Sequence, residues 1–80
     1  MPYIVESDRN EVKSGRPPQT AGELNYILSI TIKDYLDRKG TSYTVLNEIV
    51  GVIESVKVEF NRRVMTPYED KKIKENGDIY

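Results

Sequence analysis

The sequence predicts an all-α fold: an antiparallel helical hairpin, about 21–39 and 45–65, with a short C-terminal helix, about 67–75, and an irregular N-terminal arm. Three observations predict it. Thr20-Ala21-Gly22-Glu23 and Thr66-Pro67-Tyr68-Glu69 both have the spacing of a capping box, in which Thr caps a helix and Glu reaches back from N3. Gly40 follows Arg38-Lys39, and Gly77 follows Asn76, as helix stops do. Between them, Leu46, Ile49, Ile53, Val56 and Phe60 step by 3, 4, 3, 4, a heptad-like apolar seam.

Residues 1–19 read as the arm, and residues 20–80 as one helical domain. Tyr3-Ile4-Val5 is an apolar anchor onto the body. Residues 6–19 are polar, with Gly15 and then Pro17-Pro18, which favour extended backbone. In the first long helix Leu24, Ile27, Leu28, Thr31 and Tyr35 share one face, widened by Ile32 and Leu36. Ser42 or Thr44 caps the second. Val56-Lys57-Val58-Glu59-Phe60 also alternates as a strand would, but the seam continues on both sides and no turn signal interrupts residues 45–65. Gly51 costs that helix about 1 kcal/mol relative to Ala, or admits a close neighbour. Pro67 stands at N1, where its missing N–H does no harm.

Composition bounds the function. An 80-residue chain forms at most one domain and buries only about 60% of its unfolded surface. With no Cys and no His, disulfides and the usual zinc sites are closed to it, so oligomerisation is the remaining common remedy. The 12 basic and 13 acidic side chains interleave to a net charge of −1, a solubility pattern that argues against nucleic acid as a partner. No secretory leader is visible, and no apolar run approaches the roughly 20 residues of a membrane span, so a cytoplasmic protein is expected. No His, no Cys nucleophile, no metal-ligand cluster and no phosphate loop favours an enzyme, and no cofactor is implied.

Antiparallel pairing would gather Asn25, Tyr26, Arg62, Arg63 and Tyr68 at the open end of the hairpin, beside two helix N-termini. Such a cluster suits a planar anion: an arginine pairs the charge, a tyrosine stacks and Asn25 hydrogen-bonds. Ordinary capping with solvated arginines is the plainer alternative. Val45, Val52 and Val58, with Val50, lie partly off the seam, and a second apolar face on a helix usually needs cover. The expected interface residues are therefore Tyr3, Val45, Val52, Val58, Ile79 and Tyr80, and the expected partner is the chain itself.

Pro2-Tyr3-Ile4, Gly22-Glu23-Leu24-Asn25-Tyr26, Ser42-Tyr43-Thr44, Asn47-Glu48, Gly51-Val52, Glu54, Lys57, Glu59-Phe60, Arg62-Arg63-Val64 and Pro67-Tyr68-Glu69-Asp70 through Glu75-Asn76-Gly77-Asp78-Ile79-Tyr80 resemble a family of small uncharacterised proteins of phages and prophage-bearing prokaryotes. The resemblance covers residues 20–80 and the first four. That family is often more helical over the stretch matching residues 5–19. The resemblance implies a phage context and no catalytic role. Small phage proteins of this size often inhibit host defence, by sequestering a nucleotide signal in a homo-oligomer or by binding a host protein.

Overall fold

The computed structural model describes residues 4–80, so Tyr3 lies outside the described residues. Among these the regular elements are all helical: α1 (Glu6–Lys13), α2 (Ala21–Lys39), α3 (Tyr43–Phe60), a π-helical turn (Asn61–Met65) and α4 (Thr66–Asn76). The all-α class is as expected, with two long helices across a short connection and then a C-terminal helix. The chain divides into two compact units, Met1–Val45 and Leu46–Tyr80, with the boundary in the first turn of α3.

The first unit is built where α1 packs on α2. The N-terminal arm is irregular only after residue 13, which corrects the expectation for 6–13. Glu6 and Asp8 in the first turn and Lys13 in the last complement the helix dipole. Gly15, at φ 118°, closes α1: Gly15 N–H donates to Val12 O (3.1 Å) and Arg16 N–H to Glu11 O (3.1 Å). That pair of bonds is a Schellman motif, with glycine at the left-handed position. Ile4 and Val12 are buried. Thr20 caps α2 as expected, its Oγ1 accepting from Glu23 N–H at 3.1 Å. Glu23 reaches back one residue further than a capping box requires, accepting from Gln19 N–H at 3.2 Å. Gly40, at φ 84°, ends α2. Ser42 Oγ, not Thr44, caps α3 by accepting from Val45 N–H at 3.2 Å.

The second unit is helical from its start to Asn76. Phe60, Met65 and Thr66 all hold right-handed helical backbone, so α3 continues through the π-turn into α4. Thr66 therefore starts no new helix: its backbone is helical, no side-chain hydrogen bond caps α4, and its own N–H donates to Asn61 O, five residues back. Pro67 explains the turn. Inside a helix its ring strikes the carbonyl of residue 63, and it has no N–H to offer. Widening the turn just before it relieves the clash, which is why a π-turn stands there. Val56–Phe60 is helical, so the seam prevails over the alternation. From Leu46 to Tyr80 only Ile49 is even half-buried, and every other residue is exposed. A lone helix has no core, so packing that stabilises this half must come from outside it.

Candidate functional site

Asn25 and Tyr26 lie on α2 in the first unit, and Arg62, Arg63 and Tyr68 lie in the second. Each set has its own surroundings. Asn25 is exposed, and its Oδ1 accepts from Ser29 Oγ at 3.2 Å, one turn on. Tyr26 is half-buried and lines an open groove with Lys13, Ile30, Lys33, Asp34 and Asp37. Lys33 is already bound to Asp37 at 2.9 Å, which raises its pKa. Two lysines against two aspartates leave this groove without a net pull on an anion.

Elsewhere in the first unit, Arg16 gathers three carboxylates, those of Asp8, Glu11 and Glu23. Its Nη1 lies 3.0 Å from Glu23 Oε1 and donates to Gln19 Oε1 at 2.9 Å, while Nη2 is 3.9 Å from Asp8. Nε is 2.9 Å from Glu11 Oε2 but without hydrogen-bond alignment. Desolvation lowers the Arg16 pKa. The Glu23 hydrogen bond and the charges of Glu23, Glu11 and Asp8 outweigh it and hold the group above its ordinary value. Glu23, only 6% exposed, is thus a buried charge with its cation supplied. Sequence reasoning missed this node, because Arg16 stands between a glycine and two prolines with no helical period to link it to Glu23.

The second unit places Arg62 and Arg63 within the π-turn itself. Arg63 Nε is held by Glu59 at 2.8 Å, an exposed i,i+4 pair worth a few tenths of a kcal/mol. No carboxylate pairs with Arg62 among the described residues. Because Pro67 has no N–H, a carbonyl of the wide turn also goes without its helical donor. The Tyr68 ring is exposed, with Lys72 Nζ 5.6 Å from its centroid. Two arginines and an exposed tyrosine thus stand on one stretch of helix, and π-turns of this kind recur at functional sites.

A family model, Domain of unknown function (DUF6899), matches residues 1–79. The chain belongs to this family. No curated protein and no solved structure matches this DUF6899 chain. The interface residues expected from sequence divide in the DUF6899 fold: Val45 is half-buried, while Val52, Val58, Ile79 and Tyr80 are exposed. Tyr80 N–H donates to Asp78 Oδ1 at 2.8 Å, a local bond within the tail. Among the described residues no helix is long and apolar enough to cross a membrane.

Proposed function

We propose that this DUF6899 protein is a non-enzymatic helical binding protein, phage-encoded, that self-associates and captures a small anionic ligand of nucleotide type, a signal of host defence. The observation that carries the reading is the second unit: one helix with its apolar residues exposed and Arg62 and Arg63 in its π-turn. The exposed face calls for a partner copy. The arginines offer the charge that a phosphate pairs with, and Tyr68 offers a ring on which a base stacks. The phage setting is supported by the sequence resemblance described above. Isothermal titration against cyclic nucleotides and ADP-ribose derivatives tests it. Saturable binding is expected, weakened by about tenfold or more in Arg62→Ala and Arg63→Ala together. Flat titrations at tens of micromolar would sink it.

A second reading is an inhibitor or adaptor that binds a host protein. It is favoured by Ile79 and Tyr80, which are 90% and 108% exposed at the chain's end. Tyrosine and arginine are the usual anchors of such contacts. A single stoichiometric host protein retained by the full chain, and lost when Ile79 and Tyr80 are removed, would favour it.

A further inference from the structure

A π-turn carries one extra residue, so each residue after it takes the angular position its predecessor would hold in an uninterrupted α-helix. Without the turn, the heptad seam would meet Arg63 and then Pro67 after Phe60. With it, Val64 and Tyr68 take those places. The seam then reads Leu46, Ile49, Ile53, Val56, Phe60, Val64, Tyr68, apolar or aromatic at every position. It runs for about 33 Å of helix. Every one of these side chains is exposed except Ile49, which is half-buried.

We propose that the helix over residues 43–76 assembles three or four copies of this chain into a bundle around that seam, with Tyr68 closing its end and one face of its ring left open to a ligand. The inference rests on the self-association in the function proposed above and specifies its surface and number. Two observations select the occupant. First, the 3–4 spacing makes Leu46, Ile53, Phe60 and Tyr68 the a positions and Ile49, Val56 and Val64 the d positions. In parallel coiled coils, β-branched residues at a with Leu at d favour two strands, whereas Leu at a with Ile at d favours more. Here every d residue is β-branched, and a residues other than Ile53 are not. Second, the flanks are apolar as well: Val45 and Val52 at g, Val50 and Met65 at e. A strip 33 Å long and one helix wide gives roughly 400 Å2 per neighbour, about half of the 800 Å2 or so that each side of a stable interface buries. Two neighbours per helix supply the rest, and the apolar flanks are where the second one lies. Gly51 and Val58 fall at f, on the outside.

The chain has no cysteine, so any introduced thiol is the sole one. Val56 stands at the middle of the seam, close to its own copy whichever way the helices run. Light scattering on the full chain should give the mass of three or four copies. Mild oxidation should join Val56→Cys chains covalently and leave Val58→Cys chains single. A monomer mass overturns both the bundle and the self-association. A dimer mass overturns the bundle alone, and so does cross-linking of Val58→Cys as efficient as that of Val56→Cys. A flat nucleotide titration by a protein of trimer or tetramer mass overturns the ligand reading and leaves the bundle standing.

Discussion

Gly51 sits in mid-helix with nothing within 4 Å of where a Cβ would be. The sequence allowed two roles for it, a helix cost or a place of close approach, and the open space favours the first. Gly51→Ala should therefore stabilise by about 0.5–1 kcal/mol, raising the melting temperature by about 2–8 °C for a chain of this size. A lowered melting temperature would place a close neighbour there. Thr20 is the opposite case, a residue whose role was readable at once. Thr20→Ala removes the acceptor of the Glu23 N–H and should cost about 1 kcal/mol, seen as faster amide exchange in the first turn of α2. Arg16 was not readable. Its hold on Glu23, Glu11 and Asp8 spans loop and two helices. Arg16→Gln should speed amide exchange throughout α1 while the centre of α3 stays protected as before.

At the scale of elements, what the sequence disclosed depended on whether a signal was local. The starts and stops of α2 and the end of α4 rest on caps and glycines within four residues of each other, and they stand where expected. α1 was missed because Val12 is the one buried residue in its span, so no apolar stripe marks it. Its support comes from α2 and from Arg16, which lies outside the helix and so outside any helical period. The junction at Thr66 was misread for a related reason. A capping box and a proline at N1 resemble a helix start, but the same residues are tolerated inside a helix when a wide turn precedes the proline. A sharp test follows from Pro67→Ala. Removing the ring and restoring the N–H frees the π-turn to relax to α, which favours helix by up to about 3 kcal/mol. That relaxation would carry Tyr68 off the seam. The variant should show equal or greater helicity by circular dichroism and weaker assembly by light scattering.

For the whole molecule, the site was legible as residue types but not as places. Asn25, Tyr26, Arg62, Arg63 and Tyr68 were singled out by chemistry. That both arginines stand in a π-turn depended on the mispriced proline, and no spacing rule announces it. Removing residues 66–80 cuts the seam before Tyr68. It should therefore lower assembly more than it lowers the helix content of α2 and α3, as the two read-outs of the same sample will show. Stability should also depend on protein concentration, since a half without a core gains its packing only on association. Melting curves over a hundredfold dilution series should move to lower temperature for the second unit, while the α1–α2 unit, which has its own buried Ile4, Val12 and Glu23, moves less.

That coreless second half makes abundance a structural variable. On the proposed assembly, a chain present in few copies keeps its α1–α2 unit folded and leaves the second unit open to proteases and to water. In many copies, the proposed bundle orders the second unit as well. The amount synthesised would then set a threshold below which the arginine-bearing helix does not exist as a surface at all, and above which it appears abruptly, in every copy at once.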